Sequence, residues 1–322
     1  MRRGIRAVMS GLVAFAIMLA VSGCVHRNLA DLRIMVPNAP GSGYDITART
    51  AAKAIEDGGI VRGVEVFNLP GGGGAVGLRR LTYEKGNGQL MMVMGLGLVG
   101  AQYTSGAGAT LHETTPIARL MEEPEVVVVT KDSPYDSLRD LVDAWRAEPG
   151  AVTVGGGSSP GGPDHLAAML IAKAIGIAPK TATYIRYDGG GELLAAVLGK
   201  HVSFGVSGIG EIADQIRSGQ LRVLAVTSGT RVDGLLAPTL REAGVDVLFT
   251  NWRGIVAPPD LSRSDLDALS DAVGRLHDSS QWRRALDANG WTDAYLASDD
   301  FGRFLSEEND RLATVLRELG LT

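Results

Sequence analysis

Leu32-Arg33-Ile34-Met35-Val36-Pro37-Asn38-Ala39-Pro40-Gly41-Ser42-Gly43-Tyr44-Asp45 opens the folded part of the chain. The first five residues form a short apolar run, and a run of that length ended by a turn signal reads as a strand. Pro37 to Gly43 alternates prolines, glycines and small polar residues, which is loop composition. From Tyr44 to Glu56, residues Ile46, Ala51 and Ile55 fall at helical spacing. Strand, glycine loop and helix in that order make the leading half of a β-α-β unit, and this alternation sets the fold class.

Outward from that stretch the alternation continues. Strands are expected at Val64–Asn68 and Leu90–Met94 with a helix at Val76–Tyr83 between them, and Gly100–Gly108 reads as a polar, flexible stretch. A second series starts near Glu125. Val126–Val129 is a short β-branched run, and Ser137 with Asp140 three residues on begins a helix to Arg146 as a weakened capping box. Further strands are expected at Val152–Val154, Thr183–Ile185, Val202–Val206 and Leu221–Val226. Asp164 is a candidate cap for a helix to Ile175. Helices Glu192–Leu198 and Ile209–Ser218 follow, the latter stopped by Gly219. Trp252–Ala257 and helices near residues 264–276, 282–289 and 299–319 complete the chain. Phe301, Phe304, Leu305, Leu312 and Leu316 on the last helix are expected to pack back across the first domain. The reading is an α/β chain of two domains, the first discontinuous (25–122 with 230–322) and the second at 123–229.

The 322 residues, 45% hydrophobic and 21% charged, hold enough apolar material for two cores. A net charge of -5 without a basic stripe excludes nucleic acid as a partner. At the start, Arg2, Arg3 and Arg6 precede the uncharged apolar run Ala7–Ala20, the form of an export signal. The run falls short of the ~20 residues that span a bilayer. Val21-Ser22-Gly23-Cys24 resembles the lipobox of bacterial lipoproteins, whose cysteine carries lipid, so residues 1–24 are read as a lipoprotein signal peptide with its lipobox. Cys24 is the lone cysteine, which leaves none for a disulfide, a thiolate nucleophile or a zinc-thiolate site. The expected location is extracytoplasmic, anchored to a membrane through Cys24.

Three loops share one design: glycines and small polar residues between a strand and a helix. They are Pro40–Asp45, Gly155–Gly162 and Asp188–Gly191. Glycine lets backbone approach a ligand closely, and the free amides and dipole at a helix start favour an anion. Helix starts facing each other from two domains would seat a carboxylate. The candidate ligand residues are Pro40, Gly41, Ser42, Gly43 and Asp45 in the first loop, and Gly157, Ser158, Ser159, Gly161 and Gly162 in the second. Asp188 and Gly189 come from the third. A bulky residue at Gly41 is expected to block backbone approach.

A fourth loop, Gly72-Gly73-Gly74-Ala75-Val76-Gly77, fits G-x-G-x-x-G, but the acidic residue due ~20 residues later is missing, so no nucleotide cofactor is expected. Ser158, Asp164 and His165 suggest a hydrolase. Asp164 and His165 are neighbours at a helix start, however, so their side chains diverge, and no G-x-S-x-G elbow is present. The five histidines lack metal spacing, and no metal is expected. Glu122, Glu123 and Glu125 read as a solvated or hinge-side acidic patch. Trp252 is open between a pocket wall and a core role.

Several segments together resemble the substrate-binding proteins of tripartite tricarboxylate transporters, the Bug receptors. They are Pro37–Arg49, Asn68–Gly77, Gly157-Ser158 with Asp164-His165-Leu166, Tyr187–Gly191, Gly219–Thr227 and Trp252–Pro258. The resemblance covers nearly all of the chain after Cys24. It implies a periplasmic-binding-protein-like (type II, Venus flytrap) fold, a monomer that closes on one small carboxylate solute and delivers it to membrane transporter subunits. It also implies a carboxylate anchored by loops 40–45 and 157–162. Asp188 stands where the family often has lysine, and Ser42 where it commonly has glycine. The chain is expected not to be an enzyme. The alternatives are a ligand-sensing module for a membrane signalling kinase and an extracytoplasmic hydrolase.

Overall fold

The computed structural model describes residues 29–104 and 108–321; the signal peptide and Cys24 lie outside the described residues. The first half alternates β1 (Arg33–Val36), α1 (Gly43–Asp57), β2 (Glu65–Asn68), α2 (Ala75–Tyr83), β3 (Leu90–Gly95) and α3 (Leu96–Thr104). β4 (Thr115–Thr130) then runs into the second half, followed by α4 (Leu138–Ala147), β5 (Thr153–Gly156), α5 (Pro163–Ala174) and β6 (Thr183–Arg186). After these come α6 (Gly190–Leu198), β7 (Phe204–Gly208), α7 (Ala213–Arg217) and β8 (Leu221–Val226). β9 (Thr250–Ala257), α8 (Arg263–Asp278), α9 (Ser280–Asn289), β10 (Thr292–Ala297) and α10 (Ser298–Glu318) return to the first half.

β1 pairs in parallel with β2 and β3, and β9 lies antiparallel between β3 and β4. In the second half β5 pairs in parallel with β6 and β7, while β7 and β8 run antiparallel to β4. One strand thus belongs to both halves. β4 pairs with β9 as far as Pro124↔Thr250 and with β7 from Glu125↔Gly208 onward. Beside this change of partners, the Glu125 amide donates to Thr227 Oγ1 at 2.9 Å and the Phe249 amide to Thr227 O at 3.0 Å.

Local rules account for most boundaries. Ser42 caps α1 by accepting the Asp45 amide, and Ser137 with Asp140 forms a full capping box on α4. Ala48, Ala51 and Ile55 on α1 are buried against Ile34 and Val36 in the first core. On α10, Phe301, Leu305, Leu312 and Leu316 are buried in a core that also holds Met92, Val127 and Trp145, so the last helix ties both halves together.

Four expectations need correction. Helix α3 enters the stretch expected as polar and flexible, Gly100–Gly108, and runs to Thr104. Gly100 lies at a close approach: a Cβ there would overlap the backbone of Gly161. The short run at Val126–Val129 is the end of the sixteen-residue β4, whose first part is masked in the sequence by Pro116, Pro124 and three glutamates. Asp164 is not the cap of α5: Gly162 is the N-cap and Pro163 the first helical residue, as proline's missing N–H favours. Finally, of the two readings of the acidic patch, the solvated one fails, because Glu123 and Glu125 are fully buried, while the hinge-side one fits their place where β4 changes partners.

Candidate functional site

The strand-end loops of the two halves meet in one cavity. The first half lines it with Asn38, Ser42, Gly43 and Tyr44, and with Gly71, Gly73, Gly74 and Gly97. The second half contributes Gly157, Ser158, Ser159, Pro163, Asp164, Asp188 and Glu211. Asn251 and Arg253 on β9 complete the lining. The halves touch around it. Thr104 Oγ1 donates to Pro160 O at 2.8 Å, and Gly189 lies against Ser42.

Of the twelve residues singled out in the sequence, Ser42, Gly43, Gly157, Ser158, Ser159 and Asp188 line this cavity. Pro40 and Gly41 are exposed beside it, and Gly161, Gly162 and Gly189 are buried behind it. Asp45 holds the first loop together: it accepts from the Gly41 amide at 2.9 Å, from Arg49 at 3.0 Å and from Asn68 at 2.9 Å. Burial pushes its carboxyl up, but those three donors outweigh burial and hold it below its ordinary value.

The two loops offer different amides. Helix α1 begins at Gly43, so the Gly43 and Tyr44 amides are among the orphan donors of a helix start, and both residues line the cavity. In α5 the corresponding donors are used internally. Pro163 has none, and Ser158 Oγ accepts the amides of Asp164 at 3.1 Å and His165 at 3.4 Å. The expected pair of opposed helix tips is therefore one tip facing one loop. On the loop side, the amides of Ser158 and Ser159 carry no hydrogen bond among the described residues.

The same bonds bear on the hydrolase reading. His165 Nδ1 accepts from the Gly161 amide at 3.0 Å, and its ring stands edge-on to Tyr184 with centroids 4.7 Å apart. Burial drives the imidazole down to about 4, so it is neutral at pH 7. Asp164 Oδ2 accepts from the Gly157 amide at 2.6 Å rather than orienting the histidine. No relay runs from Asp164 through His165 to Ser158.

The sequence reading missed the charged centre of the site. Arg253, 2% exposed, forms an ion pair with fully buried Glu123 and lies 3.7 Å from Glu211 Oε1. Glu123 Oε2 also accepts from Trp291 Nε1 at 3.1 Å and from the Gly210 amide at 3.0 Å. Glu125 accepts from Asn251 Nδ2 at 3.1 Å. Burial, reinforced by Asp164, pushes Glu211 up to about 8, and burial pushes Asp164 up to about 6. Half-buried Tyr44, its hydroxyl accepting the Leu98 amide at 3.1 Å, is pushed by desolvation up to about 12. A Cβ on Gly43 would overlap the Arg253 guanidinium and come within 2.6 Å of Glu211 Oε1, so only glycine lets α1 start there. A signal was present: a charged residue inside the otherwise apolar run Trp252–Ala257 is unusual for a buried strand. Trp252 itself is core. Its Nε1 donates to Glu308 at 2.8 Å, and its ring packs on Phe301 and Phe304. Among the described residues, no group of three or more His, Cys, Asp or Glu is placed to hold a metal ion.

The model of a family described as "Tripartite tricarboxylate transporter family receptor" matches residues 62–321. The chain belongs to that family. Among curated relatives of this receptor, Protein BugT of Bordetella pertussis is 26% identical over 96% of the chain and 97% of its own length. Among solved structures, the periplasmic binding protein BugD superposes with a TM-score of 0.81 at 20% identity, covering 90% of this chain and 98% of BugD. MatC of Rhodopseudomonas palustris, with bound malate, gives 0.80 at 22% identity, covering 89% and 99%. A further R. palustris protein, with adipate, gives 0.82 at 22% identity, covering 90% and 97%. The receptor thus has the mixed α/β, two-domain fold of periplasmic binding proteins.

Proposed function

We propose that this solute-binding receptor captures a small carboxylate between its two halves and delivers it to a transporter of the tripartite tricarboxylate type. What supports the proposal is that Gly43 and Tyr44, at a helix start, line one cavity together with Ser158 and Ser159, whose amides have no partner among the described residues. Unpaired amides at a helix start are donors aimed at negative oxygen atoms. The malate and adipate bound by two proteins of the same fold are consistent with it. The ligand residues proposed from the sequence stand in this scheme, with Ser42, Gly43, Ser158 and Ser159 nearest the ligand. Closure follows from binding, because only the closed form brings both sets of amides to one solute.

The proposal includes an extracytoplasmic monomer held to a membrane by lipid on Cys24. It also includes lobes at 25–122 with 230–322 and at 123–229, although the bonds joining Phe249 to Thr227 favour a return crossing at residue 249. No helix of the described residues is long and apolar enough to cross a membrane. Replacing Cys24 by Ser should move the protein from the membrane to the soluble fraction.

A thermal-shift screen of mono-, di- and tricarboxylates tests the ligand class. A ligand at a hundred times its dissociation constant stabilises the folded form by about 2.7 kcal/mol. A melting point unmoved by every acid at millimolar concentration would overturn the proposal.

A further inference from the structure

The cavity holds acceptors that a plain carboxylate does not use. Asn251, 3% exposed and lining the cavity, donates through Nδ2 to Glu125, while its Oδ1 has no partner among the described residues. Glu211 lines the same cavity with its side chain 10% exposed. The groups facing Glu211 are Arg253 on β9, Glu123 and Glu125 on β4, Asp164 on α5 and the Gly190 amide on α6. Tyr44 on α1 acts on Arg253, and Asp188 lines the cavity from the third loop. Against these five carboxyls stand two guanidiniums, Arg253 already paired with Glu123 and Arg186 paired with Asp188 at 3.4 Å. A second carboxylate on the ligand would enter a region that holds a surplus of acids and no unshared cation.

We propose that the solute is a small carboxylate that also carries an ammonium group, its carboxylate on the amides of Gly43, Tyr44, Ser158 and Ser159 and its ammonium between Glu211 and Asn251 Oδ1. This rests on the carboxylate reading above and narrows it. A carboxylate accepts and an ammonium donates, and the lining presents donors and acceptors side by side: a Cβ on Gly43 would come within 2.6 Å of Glu211 Oε1. Burial makes Glu211 a proton holder near neutrality. An arriving ammonium takes the place of that proton, so binding releases it to solvent.

The test is calorimetry on the full chain with three matched ligand sets. They are glycine, β-alanine and 4-aminobutyrate; acetate, propionate and butyrate; and malonate, succinate and glutarate. Titrations at pH 7 in two buffers of different ionisation heat count the protons exchanged. At least one amino acid should bind about tenfold or more tighter than its deaminated analogue, a difference of about 1.4 kcal/mol, with close to one proton released. In Glu211→Gln both that preference and the proton release should vanish. If mono- or dicarboxylates bind as tightly as amino acids, or if binding takes up protons, the ammonium assignment is wrong and the carboxylate reading stands. If no ligand of any set binds, both fall.

Discussion

Replacing Arg253 by Met probes the charged centre at the junction of the two halves. Arg253 is 2% exposed and Glu123 0%. Methionine retains much of the aliphatic stem but leaves the Glu123 carboxylate with Trp291 Nε1 and the Gly210 amide as its remaining donors. Removing one partner of a buried pair costs about 3–5 kcal/mol, because the other charge stays buried without compensation. Glu123→Gln is milder: Arg253 still has Glu211 at 3.7 Å and Thr47 Oγ1 at 3.3 Å. A loss of about 1.5–3 kcal/mol, that of one charged hydrogen bond, is expected. The double variant removes both charges, so its cost should fall short of the summed single costs by about 2 kcal/mol or more. Urea unfolding followed by tryptophan fluorescence measures all three. Losses that add to within about 0.5 kcal/mol would show that the two residues are not energetically joined, and the buried-pair account would be refuted.

Four further outcomes are expected. Glu211 and Asp164 hold their protons to higher pH folded than unfolded, so the native state is the better proton binder from the ordinary carboxyl range of ~4 up to about 8 and about 6 respectively. Stability therefore falls as pH rises through those windows, by at most about 1.4 kcal/mol per pH unit per group; Glu211→Gln should flatten the decline between pH 6 and 8, and an unchanged slope in chemical denaturation would count against the assignment. Gly41→Ala meets no atom within 4 Å but sits at φ +79°, so it should cost about 1–2 kcal/mol in stability and leave ligand affinity intact, whereas a bulky residue there is expected to block the ligand's approach. Gly43→Ala drives a Cβ into Arg253 and should abolish binding, and calorimetry showing the reverse order would contradict the site. Trp252→Phe removes the bond to Glu308, for about 1–2 kcal/mol, and a change in ligand affinity would place that ring in the site after all.

The loops were readable because glycine, proline and serine at strand ends have few other uses. Strand β1, helix α1 and the capping box on α4 came out within a residue or two, since each has a local cause: an apolar run, a helical period, a serine three residues before an aspartate. What stayed hidden depends on distant partners. Glu123 and Glu125 look like surface residues until Arg253, Trp291 and Asn251, more than a hundred residues later, are brought against them. Aspartate at a helix start reads as a cap, yet Gly162 is the N-cap, Ser158 Oγ takes the amides of Asp164 and His165, and Asp164 turns back to Gly157. α3 was lost because Gly97 and Gly100 weaken helix propensity; the tight fit against Tyr44 and Gly161 that requires them is invisible from one segment.

Strand β4 carries hydrogen bonds to β9 on one side of Pro124 and to β7 and β8 on the other. The two leaves of the molecule are consequently bound along a shared spine instead of strung on loose cord. Any relative movement of the leaves must bend or twist that ribbon where its neighbours change. The hydrogen-bonded strand, and not a loop alone, then carries the strain of opening and closing.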